Sequence, residues 1–231
     1  MEAGKTGSVR SETPEGAKTL HNLREQHYNE HGLGYADFFP DRHKRKMLKL
    51  AELKPADVFC DLGCGDGSVL IFAVKEFGVH EAIGFEDNPV RNGKAKKAVE
   101  AAGLSSLITI QGDFNDSDLR KADVLLDMLP ESADDYSFLV ERGIKEGARL
   151  VKHDLPMIGF LPDKVDIPFY MMTFPFRRAK SKSEWAAAVL QRKDVSVLDV
   201  GHELYYYQHE KSYSKWDIKR FERTLSMRMK R

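Results

Sequence analysis

This sequence is expected to form an α/β fold: a mostly parallel seven-stranded sheet with helices on both faces, ending in an antiparallel C-terminal strand pair. Three features point to it. Short apolar runs alternate with amphipathic segments from Val58 to Val151, the pattern of repeated strand–helix units. The first apolar run enters directly a glycine cluster, Gly63, Gly65 and Gly67. Further on, two apolar segments are parted around Gly201, a gap too short for a parallel crossover.

Taken in order, the elements follow from spacing and punctuation. Residues 1–36 form an N-terminal extension, flexible or partly helical: the first 19 are rich in Gly, Ser, Thr, Glu and Lys without apolar period, and 20–35 carry only a weak helical pattern. Residues 41–53 read as a helix, with Met47, Leu48, Leu50, Ala51 and Leu53 near one face and Arg42, Lys44, Arg45, Lys46 and Lys49 covering the rest. Strands are expected at 58–62, 82–85, 107–110, 122–126 and 149–151. Helices are expected between them at 68–77, 90–102 (stopped by Gly103) and 136–144. Residues 162–178 hold three prolines and no clean period. A helix is expected at 183–191, and strands at 194–200 and 203–208 form the antiparallel pair. The domain proper is 37–210, and 211–231 is a basic, helical C-terminal segment.

Composition sets the outer limits. The chain has 231 residues, 42 % hydrophobic and 31 % charged, enough apolar material for one substantial core. Lys plus Arg is 36 and Asp plus Glu is 36, so no global field draws the molecule to nucleic acid or membrane. Two cysteines, Cys60 and Cys64, exclude a disulfide scaffold, and no zinc-like spacing accompanies them. No apolar run approaches the roughly 18 residues of a membrane span, and the N-terminus lacks a signal-type core. A cytoplasmic protein without membrane partner or metal, monomeric by preference, is expected.

Three segments carry chemistry. In VFCDLGCGDGSV (58–69) a strand runs into a glycine loop and then a helix; glycines allow a tight turn and close ligand approach, and the helix start offers backbone N–H groups. A dinucleotide fingerprint would need its third glycine at position 68, which is Ser68. Asp61 and Asp66 add negative charge unsuited to a pyrophosphate, so a nucleoside ligand that is uncharged or cationic fits better. The bland reading is a turn that merely ends a strand. Next, Glu86 closes the second strand 23 positions after Gly63, where a carboxylate can accept from both ribose hydroxyls; Asp87 would support it and Asn88 would cap the next helix. Finally, Asp113 ends the third strand beside Phe114; the carboxylate suits an exocyclic amine and the ring suits a flat base. The alternatives are a solvated strand-end acid and an Asx turn.

These motifs, DLGCGDG, Glu86 and GDF, resemble the class I S-adenosylmethionine-dependent methyltransferases, whose Rossmann-like sandwich is the expected fold. FFPDRHKRKMLKLAELKP (38–55), ADVLLDMLP (122–130) and KEGARLVKHDLPMIGF (145–160) are similar to segments of the small archaeal protein lysine methyltransferases, relatives of the seven-strand histone lysine methyltransferases. The resemblance implies S-adenosyl-L-methionine as cofactor and S-adenosyl-L-homocysteine as product. Asp61, Gly63, Cys64 and Gly65 would cradle its methionine part, Glu86 with Asp87 the ribose, and Asp113 with Phe114 the adenine. Phe39 and Pro40 match the segment that closes over the cofactor. Asp127, Met128, Leu129 and Pro130 match the place where acceptor meets methyl, with Asp127 also counted among the cofactor-binding residues, and His153 a histidine at the end of strand five. Two departures bear on the acceptor: Asp127 and Pro130 interrupt a run that is more apolar in the archaeal enzymes, and the stretch from Phe160 to Ser196 is longer.

The acceptor implied is a protein lysine, methylated by direct displacement. A lysine must first become neutral from a pKa near 10.4, and desolvation in an apolar channel promotes that. Phe38, Phe39, Met128, Leu129 and Phe160 are candidate walls, and Asp127 or His153 could help the amine lose its proton or orient it, with a structural histidine as the competing role for His153. No Asn/Asp-Pro-Pro-Tyr/Phe motif follows strand four, which argues against a nucleic-acid base. RNA or a small molecule stays open as an alternative acceptor, as does a non-catalytic regulatory module that only binds the cofactor. Residues 211–231 hold eight Lys or Arg against two acids, and Arg177, Arg178, Lys180 and Lys182 make a second basic patch; both could dock RNA or acidic protein, or simply be solvated.

Overall fold

A computed structural model describes residues 39–114, 117–127, 136–153, 156–167, 169–195 and 200. The elements are α1 (Asp41–Leu50), β1 (Val58–Leu62), α2 (Ser68–Phe77), β2 (Glu81–Phe85), α3 (Pro89–Ala101), β3 (Ile108–Gln111), β4 (Val124–Asp127), α4 (Ser137–Glu141), β5 (Arg149–His153), β6 (Lys164–Asp166), β7 (Phe169–Thr173) and α5 (Lys182–Leu190). The sheet order is β3-β2-β1-β4-β5-β7-β6. β3, β2, β1, β4 and β5 run parallel, and β7 pairs antiparallel with both β5 and β6.

That order reverses direction of travel between β1 and β4. In such a sheet the crevice at the carboxyl ends, beside the reversal, receives ligands. The buried strands explain the continuous apolar runs: all four residues of β4 and four of five in β1 are buried, as expected with helices on both faces. Phe59, Val124, Leu126, Val151, Phe169 and Met171 face one core with α1, α2 and α3. Cys60, Leu62, Phe85, Leu125, Leu150 and Met172 face the other with Leu139 of α4. Beside it, Trp185, Ala186, Val189 and Leu190 of α5 cover Tyr170.

The mostly parallel seven-stranded sheet with an antiparallel C-terminal pair is present, but the pair is built from other residues than those expected. It is β6 and β7, within the proline-containing stretch whose lack of period predicts no element. In β7 the residues from Phe169 to Met172 are buried on both faces of the sheet, so no alternation marks the strand. Of the residues expected to form the pair, Asp194 and Val195 are not strand and Val200 is helical; 196–199 and 201–208 lie outside the described residues. The helix expected at 136–144 is only Ser137–Glu141. The N-terminal extension to residue 36 and the basic 211–231 segment also lie outside the described residues. No helix among the described residues is long and apolar enough to cross a membrane.

Candidate active site

The carboxyl ends of β1, β2 and β3 bring the glycine loop and the strand-end acids to one edge. Past Leu62 the chain turns through Gly63, Gly65 and Gly67, with φ of 84°, 57° and 77°, a left-handed region in which a side chain is strained. The loop is tied to the neighbouring strand: Gly63 N–H and Cys64 N–H both donate to Phe85 O at 2.8 Å. The Cys64 side chain turns inward and is buried, which pushes its thiol well above the ordinary range through desolvation. It sits against Gly84, where a Cβ would lie 2.6 Å from Cys64 Sγ and 2.5 Å from Leu70 Cδ1. Gly84 is thus the close-approach glycine that lets the loop lie on β2.

Glu86 is buried and organises the site from the end of β2. Its Oε2 accepts from Gly65 N–H at 2.9 Å, and its Oε1 accepts from Asn88 N–H and from Arg91 Nε, both at 3.0 Å. Asn88 caps α3, its Oδ1 accepting from Val90 N–H and Arg91 N–H. Asn92 Nδ2 donates to Glu86 O and to Gln111 O, which joins the ends of β2 and β3. Asp87 is exposed. Asp113 is exposed just past β3, and Phe114 is half-buried edge-on to Phe138, with ring centroids 5.8 Å apart.

Asp61 is the unusual group. It is 1 % exposed, and among the described residues neither of its carboxylate oxygens has a hydrogen-bond partner. Burial pushes its pKa up to about 8, with Glu86, Asp66 and Asp127 adding to the rise. Ser68 Oγ is likewise buried without a partner among them. A buried carboxyl left unsatisfied is costly, and it signals a ligand with a donor or a positive charge.

Toward β4 and β5 the edge carries two further groups. Asp127, the last residue of β4, is fully buried with its Oδ2 3.2 Å from Lys152 Nζ. On the opposite face of the sheet His153 stacks on Phe169 at 5.0 Å and meets Phe39 edge-on at 5.3 Å; His43 lies edge-on to Phe39 and Phe169. Burial, then the His43 charge, lowers His153 to about 4. Pro40 is exposed at the start of α1, its carbonyl accepting from His43 N–H and Lys44 N–H. Phe160 packs elsewhere, with Tyr136 and Phe176 in the other core. Phe38, Met128, Leu129 and Pro130 lie outside the described residues.

Four participants were missed by sequence reasoning. Arg91 and Asn92 were readable as the first turn of the helix after Glu86, one turn from the carboxylate they serve. Lys152 and Phe169 were not, because their partners come only from strand register. Among the described residues no cluster of three or more His, Cys, Asp or Glu is arranged to hold a metal.

Strand order, glycine loop and strand-end acids together define a class: the chain belongs to the class I, seven-strand S-adenosylmethionine-dependent methyltransferases, and is an enzyme of that class. A protein-lysine N-methyltransferase of Saccharolobus islandicus is 33 % identical over 128 residues, spanning 54 % of this chain and 80 % of that protein. The solved structure of an RNA methyltransferase from Salinibacter ruber in complex with S-adenosyl-L-homocysteine is 30 % identical with a TM-score of 0.55, covering 62 % of this chain and 96 % of that one. No family model matches.

The residues present fit the cofactor. The unsatisfied Asp61 carboxyl suits the ammonium of its methionine part, the glycine loop admits close approach, and Glu86 stands at the end of β2 where a ribose would be met. Glu86 already accepts from Gly65, Asn88 and Arg91, which leaves about one of a carboxylate's four acceptor positions open.

Proposed function

We propose that this enzyme transfers a methyl group from S-adenosylmethionine to an amine nitrogen by direct displacement, with a protein lysine side chain as the first candidate acceptor. The observation that carries methyl transfer is the buried, unsatisfied Asp61 carboxyl beside the glycine loop and Glu86. The lysine reading is supported by the relative from S. islandicus. When bound, the cofactor supplies a methyl on a sulfonium, whose C–S electrons leave with sulfur as the nitrogen lone pair closes the new bond.

The chain's own residues then have separate tasks. Asp61, Gly63, Gly65, Glu86, Asp113 and Phe114 would hold the cofactor; Asp87, exposed, would contribute least. Asp127 would face the acceptor nitrogen. His153, at about 4, is a poor base for an ammonium near 10.4, so its task is to pack against Phe39 and Phe169 rather than to remove a proton. Much of the rate would come from holding nitrogen, methyl and sulfur in line.

A second reading has its own support. The S. ruber relative is an RNA methyltransferase, and the two relatives back methyl transfer with an open acceptor better than they back lysine alone. The exposed face of α3, with Lys94, Lys96 and Lys97, would suit a phosphate backbone. Incubating the enzyme and radiolabelled methyl donor with cell extract separates the readings. Label lost to protease but not nuclease, recovered as methyl-lysine, supports the first; label lost to nuclease supports the second. Donor binding without transfer to protein, RNA or small molecules would overturn both and leave a cofactor-binding module.

A further inference from the structure

Lys152 is a feature of the carboxyl edge that cofactor binding does not account for. It is among the largest side chains buried below 2 % exposure, and the β4–β5 register sets it beside Asp127 while β7 sets Tyr170 on its other flank. The same face carries Leu62, in register with Asp127, and Leu125 and Leu150 two residues back along their strands. Two ions have therefore been brought out of water among apolar side chains. Such a pair is costly to desolvate, and apolar residues of similar volume are often as stable there. Clamping β4 to β5 does not require it, because the two strands are already in register over four residue pairs.

What the ion pair does accomplish is to set one carboxylate in one orientation at the last residue of β4. That strand end lies directly beside β1, the strand that leads into the glycine loop. We propose that Lys152 is a positioning residue for methyl transfer, pinning the Asp127 carboxylate beside the acceptor nitrogen. The inference rests on the acceptor reading above and narrows it: an oriented anion favours an acceptor that gains positive charge on methylation, hence an amine rather than a hydroxyl or carboxylate. A fixed carboxylate stabilises that growing charge without reorganising. The Lys152 ammonium offsets part of its field, so a cationic product is not trapped.

The test compares wild type with K152M, K152R, D127N and D127N/K152M, on whichever acceptor fraction the wild type labels. Cofactor dissociation constant by calorimetry and melting temperature are measured for each. Expected for K152M are a folded protein, cofactor affinity within about threefold, and kcat lowered about 100-fold with acceptor KM changing far less. K152R should recover at least about a tenth of the activity. In the D127N background the Lys152 change should cost nothing further, since both act through one carboxylate. Should K152M fail to fold, the neutral pair D127N/K152M against D127N carries the comparison. Wild-type kcat in K152M, a KM effect alone, or losses that multiply in the double variant would overturn the proposal while leaving methyl transfer intact. A wild type that labels no acceptor would overturn the acceptor reading and this inference with it.

Discussion

At Asp61, burial first and neighbouring acids second raise the pKa to about 8 from 3.8. A carboxyl whose folded pKa is raised binds its proton more tightly when folded, so the cofactor-free protein loses stability as pH rises from about 4 through 8. D61N should therefore unfold at higher urea than wild type at pH 8 and bind S-adenosylmethionine at least about tenfold more weakly; equal urea midpoints with unchanged calorimetric affinity would show that Asp61 is not the ligand group. His153 titrates in the opposite sense. Its pKa is lowered to about 4 from 6.5, so its contribution is complete above about 6.5 and drains away as pH falls toward 4. The loss has a ceiling of about 3 kcal/mol. Comparing H153N with wild type by urea unfolding at pH 7.5 and 4.5 should show a smaller pH difference in the variant.

Among the elements, the decisive feature is how closely the glycine loop lies on β2. A methyl at Gly84 would meet Leu70 and Cys64 at 2.5 and 2.6 Å, and both are buried, so neither has room to move. G84A should cost about 1–3 kcal/mol by urea unfolding, in the range of overpacked cores, and weaken cofactor binding with it, since the loop would lift. The helix after Glu86 is the second such element. Asn88 caps it while Arg91 and Asn92 reach back to β2. R91A, which removes a charged partner from the buried Glu86 carboxylate, should cost about 1–3 kcal/mol by urea unfolding and, by opening an acceptor position on Glu86, tighten rather than weaken cofactor binding; weaker binding would mean that Arg91 itself contacts the ligand.

For the domain as a whole, ligand and fold are one equilibrium. S-adenosyl-L-homocysteine at about 100 times its dissociation constant should add about 2.7 kcal/mol of stability, a rise of about 5–10 °C in melting temperature for a domain of this size. E86A should abolish most of that rise, because Glu86 links the loop, α3 and β2 in one set of hydrogen bonds. A full rise in E86A would mean that the cofactor is held elsewhere.

Local spacing is enough to specify the parallel half of the sheet and which glycines and acids stand at its carboxyl edge. Gly63, Glu86 and Asp113 could be assigned to one edge because each ends a strand in consecutive strand–helix units, and short-range pattern dictates where a strand ends. Long-range pairing specifies the rest. β7 becomes visible only through its bonds to β5 and β6, since a strand buried on both faces shows no alternation to read. Phe169 reaches His153, and Lys152 reaches Asp127, through strand register, which leaves no mark in the neighbouring residues. The orphaned state of Asp61 is of the same kind: a carboxylate in a sequence is ordinary, and only the packing of β1 against its neighbours buries it without a hydrogen-bond partner among the described residues.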